Sequence, residues 1–306
     1  MIKDAVTILI STYNGSAYIT EQLNSVKNQT YTPYKVIIKD DASSDATSDI
    51  VRNFINDNRL NNWVLIINNE NIGWKANFAS LVSFVETEYF MFCDQDDIWH
   101  IDKIQKMLAI MKSHPDIELL ASNYHAFYED ETDKSDYMVT NNNNKQIVHI
   151  ADKNCLLIRY PGCVLCSRFS LKSVFDKYWE PEIPHDALII SSAMLRDSFY
   201  SYNEELIEYR RHIGTATHSK IRNKQERIEQ LLYYYHRLDI CEKIYADYGK
   251  KSKTGEELSL VRRWVDNRMK VITKRSLFSF LKSFMFIPYY WSPKTIIGDL
   301  IYSIKC

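Results

Sequence analysis

Glycine and proline are scarce. The 306-residue chain has seven of each, which excludes collagen-like and low-complexity readings. No stretch reaches the roughly 18 uninterrupted apolar residues that a membrane span requires. Two glycine-rich phosphate cradles are also missing: neither G-x-G-x-x-G nor G-x-x-x-x-G-K-[ST] occurs, so the dinucleotide and P-loop solutions to holding a phosphate are excluded. Nor is there a basic excess. Lys and Arg number 38 against 39 Asp and Glu, a net charge of −1, and no basic stripe suggests a nucleic-acid partner. Of the six cysteines, Cys163 and Cys166 form a lone C-x-x-C without the second pair that a zinc site needs. Several sit in apolar runs, as in Phe92-Cys93 and Val164-Leu165-Cys166, where a free thiol behaves as a small hydrophobe. The apolar run Val6–Ile10 is too short, and lacks the basic lead, for a signal peptide. These features lead to the expectation of a reduced, cytoplasmic protein.

What is present is unevenly distributed. Residues 1–200 carry 18 basic and 27 acidic side chains, and residues 201–306 carry 20 and 12. That asymmetry implies two jobs along one chain. Tyrosine is abundant, at 21; its apolar body and polar tip suit sugar pockets and membrane interfaces alike.

The first 127 residues alternate short apolar runs with segments of helical period. Strands are expected at Val6–Ile10, Tyr34–Lys39, Trp63–Ile67, Tyr89–Cys93 and Glu118–Phe127. Between them, Ile19, Leu23 and Val26 mark one helix face. Ile50, Phe54 and Ile55 mark a second, capped by Ser44 or Asp45. Phe78, Leu81, Val82 and Val85 mark a third, and Ile101, Ile104, Leu108 and Met111 a fourth. Such alternation predicts an α/β fold with right-handed crossovers and a mostly parallel sheet. Ligands bind beyond the carboxyl ends of strands in such sheets. Residues 129–146, ending in Asn141–Asn144, read as a polar loop. Order returns with a strand over Gly162–Ser167, a helix over Ala187–Leu195 and a strand over Ile207–Arg211. From Ile221 to Arg275 the pattern is helical, and the last thirty residues are aromatic, basic and interrupted by Pro288 and Pro293.

Three polar clusters follow three of the strands: Ser11-Thr12-Tyr13-Asn14-Gly15, Asp40-Asp41-Ala42-Ser43-Ser44-Asp45, and Asp94-Gln95-Asp96-Asp97. Three carboxylates in four residues repel one another unless a cation neutralises them. Hard divalent ions prefer such oxygen ligands and share them with substrate phosphates. A phosphatase with a nucleophilic D-x-D-x-[TV] at its first strand is a poor match, because that strand ends here in Ser11-Thr12.

Those clusters resemble glycosyltransferase family 2. The resemblance is carried by Ile8–Gly15, Ile37–Thr47, Asn71–Phe78 and Phe92–Trp99 in order along the chain. The D-Q-D-D-x-W form is similar to the branch containing bacterial rhamnosyltransferases, as are Pro161-Gly162-Cys163, Pro184-His185-Asp186 and Tyr209-Arg210-Arg211-His212. The resemblance covers about residues 5–215. It implies a GT-A fold, a Rossmann-like sheet flanked by helices, over residues 1–215, with a helical basic region over 216–306. It implies a metal-dependent, inverting transfer of a sugar from a nucleotide diphosphate donor to a hydroxyl of a glycan or lipid-linked saccharide. L-rhamnose from dTDP-rhamnose is the expected donor, with a UDP-hexose as the alternative.

By position, Ser11, Thr12, Tyr13, Asp41, Lys75, Asp94 and Arg211 are expected at the nucleotide sugar. Asp96, Asp94 and His212 are expected to hold Mg²⁺ or Mn²⁺, and Asp186 to serve as general base. Trp99, Gly162, Cys163 and His185 are expected on the acceptor side. Glycine is frequent in the family where this chain has Ala42 and Ala46. A non-catalytic sugar-nucleotide-binding subunit is the rival of another class; the retained Asp94, Asp96 and Asp186 argue against it. In the tail, ten basic and three acidic residues between Lys250 and Lys282, followed by Phe284, Phe286, Tyr289, Tyr290 and Trp291, read as a peripheral membrane contact or a homodimer contact.

Overall fold

The computed structural model describes residues 1–129, 143–212, 221, 223–249 and 252–304. Most of the expected loop at 129–146, including Asn141 and Asn142, lies outside them, as do Lys250, Lys251 and Cys306.

In chain order the elements begin with β1 (Ile2–Thr12), α1 (Ile19–Lys27), β2 (Lys35–Asp40), α2 (Thr47–Asp57), β3 (Trp63–Ile67), α3 (Trp74–Val82), β4 (Thr87–Cys93), β5 (Ile98–Trp99), α4 (Lys103–Ser113) and β6 (Leu119–Tyr128). They continue with β7 (Ile147–His149), a 3₁₀ turn at Gly162–Val164, β8 (Leu165–Arg168), α5 (Ser170–Tyr178), α6 (His185–Leu195) and β9 (Phe199–Arg211). A helical stretch closes the chain: α7 (Lys224–Tyr248), α8 (Lys253–Glu256), α9 (Leu258–Lys274), α10 (Leu277–Lys282), a 3₁₀ segment at Ser283–Tyr289 and α11 (Lys294–Ile304).

These elements divide into two compact units. The first comprises residues 1–150, 159–189 and 198–215, and the second 151–158, 190–197 and 216–306. The expected cut at residue 215 is therefore not clean, because two short stretches from the middle of the chain belong to the second unit.

One sheet runs through the first unit in the order β3-β2-β1-β4-β8-β6-β9-β5, with β7 beside β9. The β3-β2-β1-β4 half is parallel. Beyond it β8 runs antiparallel to both β4 and β6. Ile8, Leu9, Ile10, Ile37, Ile38, Phe90 and Phe92 are essentially inaccessible to solvent. Strands that read as continuous apolar runs are those covered on both faces, and each such side chain contributes about 1.5–3 kcal/mol on burial.

Two expectations change. Gly162–Ser167 is not all strand: Gly162–Val164 turns first and pairing starts at Leu165. Gly162 is closely packed there, since a Cβ on it would lie 2.5 Å from His185 Nε2. The helical pattern over Ile221–Arg275 is also broken, with α7 ending at Tyr248 and α9 beginning at Leu258.

Candidate active site

Parallel register brings the polar clusters to one edge. Thr12 at the end of β1 pairs with Asp40 at the end of β2, and Ile10 with Cys93 at the end of β4. The loops leaving these three strands are thus neighbours by construction.

The first two loops are stitched together by carboxylates. Asp40 Oδ1 accepts hydrogen bonds from Thr12 Oγ1 at 2.8 Å and Ser43 Oγ at 2.6 Å, while its Oδ2 accepts from the Ser43 N–H. Asp41 receives the backbone N–H groups of Ile72 and Gly73 at 2.9 and 2.8 Å, and Asn68 Nδ2 at 2.7 Å. The β3–α3 loop is therefore tied down by the Asp41 carboxylate. Asp45 accepts the N–H groups of Thr47 and Ser16. Burial pushes its carboxyl upward, but these hydrogen bonds prevail and hold it at about 2. Asp45 thus braces the turn ahead of α2; it is not the expected cap, because Ala46 holds the N-cap position and no side chain caps the helix.

Ser11 is buried and accepts a bond from Asn77 Nδ2 at 2.7 Å; the same amide also reaches the Lys39 carbonyl. Asn77, within the Asn71–Phe78 motif, thus joins the first two strands to α3. Thr12 is likewise buried. Tyr13 is different. Its side chain is about half exposed, and its backbone N–H and C=O are both met by Gln95, at 2.8 and 3.0 Å. Lys75, in the first turn of α3, donates to the Glu182 carbonyl at 3.0 Å.

The third loop carries the acidic cluster. Burial, then repulsion from Asp96, raise the Asp94 carboxyl to about 7, with the charge of Asp186 adding to the push. Asp97 is fully buried. Burial and the charges of Asp94 and Asp96 push its carboxyl well up, and its Oδ2 has no hydrogen-bond partner. Ligand atoms of Asp94, Asp97 and Cys163 lie within 4.8 Å of one another. An orphaned carboxylate oxygen beside a second carboxylate that resists ionisation is a donor set that fits a hard divalent cation. The Cys163 thiol is held protonated by burial and by the charges of Asp97 and Asp94. It is no partner for such an ion.

On the other side of the loop, His212 Nε2 and Asp96 Oδ2 are 2.9 Å apart. That hydrogen bond, against the opposing effect of burial, raises the imidazole above its ordinary value. Asp96 and His212, expected as ligands together, are thus brought together at the rim of the aspartate loop. Arg210 braces the loop from behind. Its N–H donates to Asp97 Oδ1 at 3.1 Å and its Nε to the Asp96 carbonyl at 2.7 Å, while its terminal nitrogens bond Glu129 and Glu21. Arg211, which was expected at the donor, is buried with its guanidinium 5.0 Å from the Tyr209 ring.

The four residues expected on the acceptor side lie beneath the surface. Trp99, Gly162, Cys163 and His185 are all buried. Lys103 explains two of them. It is fully buried, donates to the Cys163 carbonyl at 2.6 Å, and lies 4.0 Å from the centre of the Trp99 ring. Burial pulls its ammonium down to about 8. A single lysine near the start of a helix gives no sequence signal of burial. His185 sits among the Phe78, Phe92 and Trp74 rings. Both its nitrogens lack a hydrogen-bond partner, and burial lowers it to about 3, so the ring is neutral. It packs; it does not titrate near neutrality.

Asp186 follows in the first turn of α6. Its Oδ1 accepts the Ala187 N–H at 2.7 Å, and its charge reaches Asp94.

A parallel α/β edge with aspartate-bearing loops defines the class of protein: one built to hold a ligand at the carboxyl ends of its first strands. The chain matches the profile of Glycosyl transferase family 2 over residues 7–179, more than half of its length. It belongs to that family. Among curated relatives it is 32% identical to the putative glycosyltransferase EpsH of Bacillus subtilis over 42% of this chain and 36% of that protein. It is 35% identical to the dTDP-rhamnosyl transferase RfbG of Shigella flexneri over 39% of this chain and 42% of that one. The chain thus spans under half the length of these two relatives. Among solved structures, S. aureus TarS in complex with UDP-GlcNAc superimposes with a TM-score of 0.62 at 17% identity, over 98% of this chain and 81% of TarS. The mannosyltransferase PcManGT of Pyrobaculum calidifontis, in complex with GDP-Man and Mn²⁺, gives 0.57 at 16% identity, over 98% and 84%. These likenesses establish the GT-A type of fold.

Proposed function

We propose that the chain transfers a sugar from a nucleotide diphosphate donor to a hydroxyl of a glycan or lipid-linked saccharide, by direct displacement with inversion. The observation that carries this reading is that the charges of Asp96 and of Asp186, from a distant part of the chain, both act on Asp94. Asp94 and Asp96 would hold Mg²⁺ or Mn²⁺, with His212 beside Asp96. A bound cation of this kind supplies a Lewis acid and template for the departing diphosphate. Asp186 takes the proton of the attacking hydroxyl as the bond forms. Half-exposed Tyr13 covers the nucleotide, and Lys75 carries positive charge near the diphosphate. Asp41 shapes the β3–α3 wall of the donor site through its bonds to Ile72 and Gly73.

For the donor sugar, the D-Q-D-D-x-W sequence and the similarity to the Shigella rhamnosyltransferase favour dTDP-L-rhamnose. A UDP-hexose is the second reading, favoured by the fold shared with TarS. Thermal unfolding in the presence of dTDP-, UDP- and GDP-sugars with Mn²⁺ separates them. A ligand at a hundred times its Kd stabilises by about 2.7 kcal/mol, so dTDP-rhamnose should raise Tm most. If no nucleotide sugar moves Tm, the reading fails.

A further inference from the structure

The end of the second unit buries Phe286, Tyr289, Tyr290 and Ile296 but turns many other apolar side chains outward. Helix α10 buries Ser279 and exposes Leu277, Phe278 and Leu281. The 3₁₀ segment after it buries Ser283 while exposing Phe284 and Met285. Phe278 and Met285 keep about three quarters of their surface, 76% and 75%. Helix α11 repeats the pattern: Asp299 and Ser303 point inward, whereas Ile297, Ile301 and Ile304 face out. Positions 277, 281, 284 and 285, and 297, 301 and 304, follow the helical period, so each set forms a stripe.

The polar residues turned inward are partnered. Asp299 receives Arg268 Nε at 2.6 Å and Nη2 at 3.0 Å, with Arg227 Nε at 3.3 Å. Asn267 Nδ2 donates to the Ser279 carbonyl and to Ser283 Oγ, both at 2.9 Å. These bonds fix which faces of α10 and α11 turn toward α9 and leave the apolar stripes outward. Exposed apolar patches of this kind mark interaction surfaces. The charge that accompanies the stripes has one sign. From Arg268 to Ile304 the only acidic residue is Asp299, which is buried and paired, while Lys270, Lys274, Arg275 and Lys294 are exposed.

We propose that the apolar stripes of α10, the following 3₁₀ segment and α11, flanked by Lys270, Lys274, Arg275 and Lys294, dock on the surface of an anionic lipid bilayer. Outward Leu, Ile, Phe and Met enter the acyl boundary, and the cationic heads stay with the phosphates. No helix among the described residues is long and apolar enough to cross a membrane, so the contact is peripheral. A second copy of the chain would satisfy the apolar area but would set like charges against one another across a two-fold axis. An anionic surface satisfies both at once.

The test is sedimentation of the full chain with phosphatidylglycerol–phosphatidylcholine vesicles and with phosphatidylcholine alone. Expected is co-sedimentation with the anionic vesicles in 50 mM salt, at least tenfold weaker in 1 M salt, where charges are screened within about 3 Å. Two variants separate the contributions. Phe278→Ser/Leu281→Ser/Met285→Ser should lose binding at both salt concentrations, and Lys270→Glu/Lys274→Glu should lose its salt-dependent part. All five positions are exposed, so the thermal melts of both variants should match the parent. Brominated lipid should quench fluorescence from the parent, and Trp291→Phe should abolish that increment. A chain that stays in the supernatant at low salt overturns the proposal, whether it runs as a monomer or as a dimer that the triple variant dissociates.

Discussion

Gly15 and Gln95 occupy the same space: a Cβ on the glycine would sit 2.3 Å from Gln95 Oε1. The Gln95 amide is thereby held flat against the Tyr13 backbone, bonding both its N–H and its C=O. The β1 loop and the aspartate loop are locked together through this contact.

Gly15→Ala should displace Gln95 and uncouple the two loops. Loss of two hydrogen bonds, each worth about 1 kcal/mol, should lower donor affinity several-fold with a small fall in Tm. Gln95→Ala should give a similar loss, and adding Gly15→Ala to it should cost little more. Calorimetric titration of the nucleotide sugar measures both. Additive losses would show that the two residues act separately.

Asp96 and Asp186 should fail differently. Asp96→Ala, like chelation of the parent with EDTA, should remove turnover together with metal-assisted donor binding. Asp186→Asn should leave donor affinity within a few fold and lower kcat by roughly 10²–10⁴, the loss of a general base. Normal turnover of Asp186→Asn would reduce the residue to a helix cap. Full activity in excess EDTA would remove the cation from the reaction.

His185 makes stability depend on pH. Its folded value of about 3 lies below the ordinary 6.5. The stability it contributes is therefore complete above about pH 6.5 and drains away as pH falls toward 3, at about 1.4 kcal/mol per unit. His185→Phe keeps the aromatic packing and removes the proton. Between pH 7.5 and pH 5.0, urea melts of the parent should lose about 2 kcal/mol more than those of the variant. Equal losses would mean that the ring is not buried as a neutral group.

Ala42 adopts φ 58°, a left-handed backbone that costs an L-residue roughly 1–2 kcal/mol. Ala42→Gly should stabilise the protein, less the extra freedom that glycine gains in the unfolded chain. A rise of a few degrees in Tm is expected. Asn14, at φ 47°, offers no such gain, because its side chain accepts the Ser44 N–H at 2.8 Å.

Much of this was readable in the sequence because β1, β2 and β4 are buried on both faces and so appear as unbroken apolar runs ending in polar clusters. The order of those runs was enough to bring Asp41 and Asp94–Asp97 to one edge. β5 and β7, of two and three residues, carry no periodic signal and were not anticipated. Lys103, Asn77 and Arg210 were missed or left open for another reason. A lysine, asparagine or arginine on a sequence row looks solvated, and only tertiary packing turns it inward. The same packing buries Trp99, Cys163 and His185, which motif position alone did not reveal. The tail read only as aromatic and basic; its helices α10 and α11, and which side of each faces inward, depend on partners such as Asn267 and Arg268.

The Asp96–Arg210 bond spans 114 positions of chain. Strands β1 to β4 are contiguous in the sheet and complete by Cys93, so the sheet edge can assemble soon after residue 93 is made. Until Arg210 arrives the aspartate loop has the Gln95–Tyr13 contact but not the bonds to Asp96 and Asp97, and late, long-range closure is the slow part of folding. A nascent chain would therefore possess the scaffold well before it possesses a working site.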